Sequence, residues 1–425
     1  MYKYDKKIFD NGLKVAAHRM PNMKSAALGV WIKTGGRYET AANRGISHFV
    51  EHLLFKGTAK RTTSDIKNSI EGIGGILNGF TSEEMTCYLV KIVGRHLALA
   101  LEVLGDMVLN ARFAPRDVET ERFVVLEEIK MYRDHPDQYV GELLSELLWP
   151  DGPLGIPLIG TRDIIDSLSR EDIMAYKEKS YVSSNINVVA CGDLDWPSLL
   201  DNCERIFSVK KRQSPFGYKK MRISQKRPQT RIARRQTEQT HIAIGFHGLS
   251  RKDPARYAMD LLNIVLGANM SSRLFHELRE KRGLAYAISS HPTYYADGGT
   301  EVIDAGIDNR KISEAIGLIL KELSRIKKGR ITKKEFERAR EYYQGILSFT
   351  FEDTLEHMLW LGKKIVTGDR RLEAEKILKE MRAVTIDDIL HLAGRIFKKE
   401  NLNIAVIGPA GDKDKKAIDE MAEGL

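Results

Sequence analysis

The segment His48-Phe49-Val50-Glu51-His52 indicates both the fold and the chemistry of this chain. Two histidines four positions apart lie on one side of an α-helix, so both imidazole rings can bind one metal ion. Glu51 would lie beside that ion, where its carboxylate can accept a proton from a water molecule on the metal. In the order His-x-x-Glu-His the carboxylate comes directly before the second histidine. The segment therefore predicts a metal-binding helix that also carries a general base.

The residues around this segment predict a buried helix over 43–56. Asn43 can cap its start, and Gly57 can end it. Five apolar residues between positions 49 and 55 make much of the helix hydrophobic. Histidines and a carboxylate buried on such a helix would be costly without partners. A metal ion would supply that partner, and a cluster satisfied by hydrogen bonds alone is the alternative.

A second helix is predicted over 115–133, with Pro115 in its first turn. Glu121 and Glu128 are seven positions apart and share one face of it. Because apolar residues surround them, we expect both carboxylates to point inward. A catalytic zinc site needs three protein ligands and one open position, so this helix is a candidate source of the third ligand.

At this point the chain resembles a known family. Residues 48–58 (HFVEHLLFKGT) are similar to the active-site segment of the M16 metallopeptidases, also called the pitrilysin or inverzincin family. The most similar branch contains the mitochondrial processing peptidase and short prokaryotic M16 peptidases. Residues 121–128 match the family's distal segment, which has two glutamates seven apart. The likeness extends from about Phe9 to Gly408.

The resemblance assigns a role to each polar residue of these two segments. His48, His52 and Glu128 would bind one Zn²⁺ per chain. Glu121 would stand behind the ligands and orient them, and Glu51 would be the general base. The implied function is a zinc-dependent endopeptidase that hydrolyses peptides or unfolded segments. The alternatives are an M16-like assembly or peptide-binding subunit without catalysis, and a zinc hydrolase of small molecules.

The chain contains an internal repeat. Residues 168–173 recur as 384–389, and residues 185–192 recur as 401–408, in both cases 216 positions further on. Each copy has a Ser or Thr at a helix start, followed after the helix by a short apolar strand. The repeat predicts an α+β protein of two homologous α/β units. The resemblance implies the LuxS/MPP-like metallohydrolase fold, in which each unit is a mostly antiparallel sheet with helices on one face.

The repeat also predicts how the chain is divided. Residues 1–208 would form the zinc-bearing catalytic domain, and residues 236–425 a homologous domain without metal that contributes to substrate binding. No second His-x-x-Glu-His segment occurs in the sequence, which favours a single metal site. At 425 residues the chain is long enough for two domains.

Residues 209–235 form a basic junction between the two halves. They include eleven Lys or Arg residues and no Asp or Glu, which more than accounts for the net charge of +9. A basic run raises the question of nucleic acid. Interleaved aromatic residues are few, and no nucleic-acid fold signature accompanies the run. We therefore interpret it as an exposed linker and expect no nucleic-acid partner.

Residues 72–82 are rich in glycine, but they lack the Lys-Ser/Thr that ends a phosphate-binding loop. Asn78-Gly79 could form a tight hairpin turn. The resemblance implies instead an edge strand beside the zinc, with Asn78, Gly79 and Phe80 contacting an extended peptide through the backbone. The family usually has Ala where this chain has Gly79.

In the second half, residues 271–286 also resemble the family. The resemblance assigns Arg279 and Tyr286 to contacts with the substrate backbone and the reacting carbonyl, for which a guanidinium and a phenol are suitable donors. Without the resemblance, Arg279 would be interpreted as a surface ion-pair residue and Tyr286 as a core residue.

The resemblance further implies a homodimer with shared active sites, because the family encloses its substrate between four such units and this chain has two. Arg279 and Tyr286 of one subunit would then face the zinc of the other. A hetero-partner stays open.

Composition agrees with a soluble enzyme of the cytoplasm. The chain is 42% hydrophobic and 29% charged, and no apolar run approaches the length of a membrane span. Its first residues lack the apolar core of a secretion signal, so we expect a cytoplasmic location and no membrane partner. The three cysteines are too few for a disulfide framework, and we expect them to be buried thiols.

Overall fold

The computed structural model describes residues 4–150, 152–215 and 217–425. The strands are β1 (Tyr4–Ile8), β2 (Lys14–Arg19), β3 (Ser25–Ile32), β4 (Ile76–Thr81), β5 (Thr86–Val93), β6 (Ile186–Gly192), β7 (Gln229–Arg234), β8 (Thr240–Gly248), β9 (Ala285–Tyr294), β10 (Gly299–Ile307) and β11 (Asn403–Gly408). The α-helices are α1 (Ile46–Leu54), α2 (Thr63–Glu71), α3 (Leu97–Asn110), α4 (Pro115–Asp134), α5 (Pro136–Leu148), α6 (Arg162–Ser167), α7 (Arg170–Ser180), α8 (Trp196–Ile206), α9 (Arg256–Leu266), α10 (Ile312–Lys327), α11 (Lys333–Glu352), α12 (Thr354–Thr367), α13 (Ala374–Ala383), α14 (Ile386–Ile396) and α15 (Asp412–Glu423). A π-helix covers Phe275–Glu280.

The chain forms two compact units, each assembled from three separate stretches of sequence. The first unit comprises Met1–Ile129, Pro157–Lys219 and Leu347–Ile377. The second unit comprises Lys130–Ile156, Lys220–Ile346 and Leu378–Leu425.

The first unit is built on a six-stranded sheet in the order β1-β2-β6-β3-β5-β4. Only β2 and β6 are parallel, and the other neighbours are antiparallel. The central strand β3 is buried almost along its whole length, as expected for a strand rich in small and branched apolar residues. Strand β4 is the last strand at one side of this sheet.

The second unit repeats this plan with five strands in the order β7-β11-β8-β10-β9. Again one pair, β7 and β11, is parallel, and the others are antiparallel. The predicted α+β class with two mostly antiparallel sheet-and-helix halves is therefore confirmed.

One helix of each unit comes from the other half of the sequence. In the first unit α12 packs on β3 and β6, and Met358 fills the space over Gly29. In the second unit α5 packs on β8 and β11, and Leu144 fills the space over Gly245. The two glycines are 216 positions apart, so the repeat extends to how each sheet receives its helix.

The repeat is also visible in helix capping. Ser169 and Asp172 form a capping box at the start of α7, and Thr385 and Asp388 form the same box at the start of α14. Each box satisfies free N–H groups of the first turn. The same local sequence therefore begins the same helix in both halves.

Two findings concern the class of protein. All three cysteines, Cys87, Cys191 and Cys203, are buried free thiols, as expected from the sequence. Within the described ranges, no helix combines the length and the apolar composition that a membrane crossing requires.

Candidate metal centre

Helix α1 carries the His-x-x-Glu-His segment, but it is shorter than predicted. It begins at Ile46, after Gly45 in the left-handed region at φ 86°. Asn43 is not its cap. Its side-chain oxygen instead accepts from the backbone N–H of Thr40 at 2.7 Å, inside a separate 3₁₀ turn. The left-handed turn at Gly45, which glycine adopts without strain, separates that turn from the helix.

A buried carboxylate holds the start of α1 in place. Glu39 accepts from the N–H groups of Gly45 at 2.9 Å and Ser47 at 2.8 Å, which are free donors of the first turn. Burial raises the pKa of Glu39, although these hydrogen bonds and Arg44 oppose the rise. The Ser47 hydroxyl also bonds to the hydroxyl of Tyr176 at 2.7 Å. The metal-binding helix is therefore anchored at its N-terminus.

Helix α4 brings the distal glutamates to α1. It covers Pro115–Asp134, within one residue of the prediction, and its buried residues include Glu121. The Glu128 Oε2 atom lies 3.8 Å from His48 Nε2 and 3.6 Å from His52 Nε2. One ligand atom from each of these three residues lies within 4.8 Å of the others. The structure thus brings the three predicted ligands together.

These three residues fit a divalent metal ion. The Glu128 Oε2 atom is buried and has no hydrogen-bond partner among the described residues, a costly state that a cation would relieve. Burial, and then the nearby His52, lower the pKa of His48 to about 3, so its ring is neutral and can bind metal. Two imidazoles and a carboxylate are a known ligand set of catalytic zinc.

Glu121 stands behind His52, on the side away from Glu128. Its Oε2 is 3.1 Å from His52 Nδ1, and its other oxygen pairs with Lys56. Burial would raise the pKa of Glu121, but the bonds to His52 and Lys56 outweigh it and keep the carboxylate ionised. An ionised acceptor at Nδ1 fixes the orientation of the ring and leaves Nε2 facing Glu128.

Glu51 lies on the same helix and faces strand β4. The Thr81 hydroxyl donates to Glu51 Oε2 at 3.1 Å. Burial raises the pKa of Glu51, and nearby Glu128 adds to the rise, while His52 and Thr81 oppose it. A raised pKa makes this carboxylate a better proton acceptor.

The absence of a side chain at Gly79 leaves room for the carboxylate of Glu51. A Cβ atom at this position would lie 3.2 Å from Glu51 Oε1 and about as close to the Phe55 ring. Asn78 and Gly79 lie within β4, paired with Leu89 and Tyr88 of β5, so they do not form a hairpin turn. The strand is regular through the glycine.

The other two residues predicted to bind substrate on β4 are placed differently. The Phe80 ring packs edge-on against Trp31 at 5.6 Å between centroids, in the apolar cluster under α12. The Asn78 side chain accepts from the next backbone N–H at 2.8 Å. Gly79 lies against the metal-site helix, close to Glu51 and Phe55.

Arg279 and Tyr286 meet in the second unit. The Arg279 guanidinium lies 5.3 Å from the Tyr286 ring centroid and 4.9 Å from that of Phe275. The Tyr286 side chain is 73% exposed, so it is not a core residue. Among the described residues Arg279 has no acidic partner. The pair is therefore an exposed guanidinium-phenol stack.

Sequence reasoning missed two partners of the site, Thr81 and Lys56. Thr81 could have been found from strand periodicity, because residues two apart share a face and Gly79 lies opposite Glu51. Lys56 follows the end of α1, where helical spacing no longer predicts direction. Its pairing with Glu121 depends on how α4 packs.

Several known proteins resemble this chain in sequence and fold. The sequence model Insulinase (Peptidase family M16) matches residues 14–162, and Peptidase M16 inactive domain matches residues 167–343. A Bacillus subtilis (strain 168) protein named uncharacterized zinc protease YmxG is 35% identical over 95% of this chain and 97% of its own length. A Rickettsia bellii protein, also named an uncharacterized zinc protease, is 32% identical over 94% and 96%.

Among solved structures, a protease from Helicobacter pylori has a TM-score of 0.91 at 22% identity, covering 96% of this chain and all of that one. At this identity the likeness supports the fold alone. The sequence similarity to the relatives runs over nearly the whole length of both chains and includes both halves of the repeat. The chain belongs to peptidase family M16.

Proposed function

We propose that this protein is a zinc-dependent endopeptidase that hydrolyses peptides or unfolded segments. One observation carries the proposal: His48, His52 and Glu128 converge from two helices while Glu51 lies beside them on the first. The relatives are named uncharacterized zinc proteases, and these names support zinc as the metal. One Zn²⁺ per chain is proposed, since a single such cluster is found among the described residues.

The chain's own residues provide binding, orientation and proton transfer. His48, His52 and Glu128 would hold Zn²⁺, which would lower the pKa of a bound water molecule to about 7 and polarise the scissile carbonyl. Glu51 would take a proton from the attacking water and later give it to the leaving amine. Glu121 would keep the His52 ring in its ligand orientation.

Substrate binding is proposed at the edge of the first sheet. Strand β4 is the last strand of that sheet, and among the described residues no further strand pairs with its outer side. An extended peptide could therefore pair with the backbone on that side. Such pairing would hold the substrate by its backbone and place the scissile bond beside the metal site. The enzyme would then have only a broad preference for substrate side chains. Asn78, Gly79 and Phe80 form the middle of this strand.

Arg279 and Tyr286 are proposed to bind the substrate backbone and the reacting carbonyl. Their exposed stack supports the proposal, since both donors are available to a ligand. By the family resemblance they would act in a homodimer, each subunit completing the site of the other. A cytoplasmic location and the homologous domains 1–208 and 236–425 complete the proposal. They would be joined by residues 209–235, whose last part forms β7 of the second sheet.

The decisive test is Glu51→Gln in zinc-loaded protein. We expect the variant to keep about one zinc per chain and to lose peptide cleavage by at least about 10²-fold, because the amide cannot accept the proton. A mixed peptide library read by mass spectrometry measures cleavage, and elemental analysis measures zinc. Glu127→Gln, an exposed carboxylate on α4, is the matched control and should keep wild-type activity.

Two outcomes would overturn the proposal. If Glu51→Gln cleaves at the wild-type rate, Glu51 is not the base. If zinc-loaded wild-type protein cleaves nothing in the library, with or without chelator, the chain is an M16-like peptide-binding or assembly subunit instead.

A further inference from the structure

The second unit contains a cavity that the proposed peptidase site does not use. Its volume is about 880 Å³, the size of a ligand site. It lies where residues 222–230 of the basic junction pass the start of β7, the end of α5 and the side of α15. Part of the basic junction, residues 222–230, therefore lines this cavity.

The lining of this cavity is basic. Arg222, Lys226, Arg227 and Lys415 line it together with Asp419 and Glu423. Both carboxylates are already paired, Asp419 with Lys415 at 2.7 Å and Glu423 with Lys399 at 3.1 Å. Among the residues that the structure describes, no acidic side chain pairs with the other three cations. An anionic ligand would find three free positive charges here.

A buried polar group supports a ligand independently of this charge. His247 lines the cavity, is only 5% exposed, and has no partner for its Nδ1 among the described residues. Burial lowers the pKa of His247 to about 4, so the ring is neutral near pH 7. A buried, unsatisfied ring nitrogen is costly unless a ligand or water satisfies it.

The repeat indicates what kind of ligand fits. In the first unit, β1 pairs with the outer side of β2. The second sheet ends at β7, the counterpart of β2, with no described strand outside it. Residues 220–224, which are 216 positions after β1, form no strand. The second sheet therefore lacks its sixth strand.

The hydrogen bonds of Met221 and Gln225 are made to residues outside β7. The backbone N–H of Met221 donates to Asp297 at 3.0 Å, and the Met221 side chain packs against the apolar cluster under α5. The Gln225 side chain donates to the carbonyl of Leu402 at 3.1 Å. Residues 222–224 lie between these two anchors.

The open side of β7 can bind a peptide backbone. The N–H of Gln229 donates to the carbonyl of Leu402, just before β11, and the N–H of Arg235 donates to the carbonyl of Gly408 at the end of β11. Both distances are 3.0 Å. Because backbone N–H groups point alternately to the two sides of a strand, the N–H groups of Thr230, Ile232 and Arg234 point away from β11. These three have no backbone partner among the described residues.

We propose that this surface binds an extended peptide segment whose C-terminal part is acidic. The peptide would pair with the open side of β7 as β1 pairs with β2, which is antiparallel. In that arrangement Ile8, the last residue of β1, lies opposite Lys14, the first residue of β2. The C-terminal end of a bound peptide would therefore lie at Gln229, beside Arg222, Lys226 and Arg227. This inference is independent of the metal site.

The test measures binding of a fluorescein-labelled peptide, Thr-Val-Thr-Val-Thr-Glu-Glu-Glu-amide, to the full chain by anisotropy. The Glu51→Gln protein is used so that the probe is not cleaved. We expect saturable binding that chelator does not change and that weakens as salt increases. Replacing the three Glu by Gln, or N-methylating alternate residues, should each weaken binding at least tenfold.

Two protein variants distinguish binding at this cavity from a non-specific effect of positive charge. The triple variant Arg222→Ala/Lys226→Ala/Arg227→Ala should bind the probe at least tenfold more weakly. The control Lys210→Ala/Lys211→Ala/Arg212→Ala removes three cations from the same junction, outside the cavity lining, and should bind within twofold of the parent. Thermal unfolding of both variants should match the parent.

Several results would overturn the proposal. Equal losses in the two triple variants would show a non-specific charge effect. Equal binding of the N-methylated probe would exclude pairing with β7, and displacement by millimolar inorganic phosphate would identify a small-anion site. A short single-stranded RNA that binds more tightly than the peptide would assign the cavity to nucleic acid.

Discussion

At the scale of single residues, the metal centre has a charged support behind one of its ligands. Burial keeps His48 neutral and raises the pKa of Glu128, while Glu121 stays ionised between His52 and Lys56. The three ligands face one another, and the negative charge of Glu121 lies behind one of them, His52. This arrangement can raise the basicity of the His52 ring without competing for the ion.

Glu121→Gln tests that support. The variant keeps a hydrogen-bond acceptor for His52 but loses the charge, so we expect zinc affinity to fall by about 10–100-fold. Competition with a chromophoric chelator measures the affinity. Glu127→Gln on the same helix is exposed and should bind zinc as the wild type does. Unchanged affinity in Glu121→Gln would remove Glu121 from the site.

At the scale of elements, α12 depends on close contact with the first sheet. A Cβ atom at Gly362 would overlap the Trp31 ring, and one at Gly29 would lie 2.7 Å from Met358 Sδ. Glycine therefore sets the distance between helix and sheet, and the large Trp31 side chain fills the space that these two glycines leave.

Gly362→Ala should destabilise the protein because the new methyl group pushes α12 from the sheet. Overpacking of this kind costs about 1–3 kcal/mol, which thermal unfolding should show as a lower midpoint. Gly141→Ala in α5 is the control, since nothing lies within 4 Å of its Cβ position. That change should be neutral or stabilise by up to about 1 kcal/mol. Equal stability of both variants would contradict the packing argument.

The start of α11 provides a pH-dependent contact. Glu335 bonds to Arg273 at 2.6 Å and to Thr332, and these bonds outweigh burial to lower the pKa of Glu335 to about 2. A carboxyl with a lowered pKa stabilises the fold above its ordinary value of 4.5, and this stability is lost as pH falls toward about 2.

Glu335→Gln should therefore lower the unfolding midpoint at about pH 7, and its effect should shrink steadily as pH falls from the ordinary value of 4.5 toward about 2, where wild-type Glu335 becomes protonated. Thermal scans of both proteins across this range measure the difference. Glu337→Gln, two residues further along the same helix, offers a comparison with a half-exposed carboxylate. A difference that stays constant with pH would show that the ion pair does not stabilise the fold.

At the scale of the whole molecule, the sequence predicted what depends on local pattern. Helix α4 was predicted over 115–133 and observed over Pro115–Asp134, because its proline start and apolar stripe are local signals. His48 and His52 share one face of α1 because of their spacing, whereas Glu128 as the third ligand is implied by the family resemblance, and the structure places it beside them. The repeat was also visible locally, since its caps and strands are short motifs.

What the sequence could not show depends on contacts between distant segments. No local pattern says that α5 covers the second sheet and α12 the first, since both are ordinary amphipathic helices. The buried carboxylate of Glu39 at the start of α1 could not be distinguished from a surface charge. The open edge of β7 became visible only when its sheet could be compared with the six-stranded one.

The proposed homodimer is tested with heterodimers of two variants, each with a different part of the site removed. His48→Ala removes a metal ligand and Arg279→Ala removes the proposed substrate contact, so each variant alone should be inactive or strongly impaired. If each site takes its metal from one subunit and its arginine from the other, a heterodimer of the two variants has one complete site of two. Heterodimers purified through two different tags should then recover about half of the wild-type activity.

The control pairs a wild-type chain with the double variant His48→Ala/Arg279→Ala. With shared sites this heterodimer has no complete site, because the intact metal faces the missing arginine, and it should be inactive. With sites formed inside one chain it would keep about half of the activity, and the mixed single variants would recover none. The two heterodimers contain the same four residues at these positions, so only their distribution between subunits differs. Opposite activities in the two mixtures therefore distinguish a shared site from a site within one chain, independently of any effect of either substitution on stability.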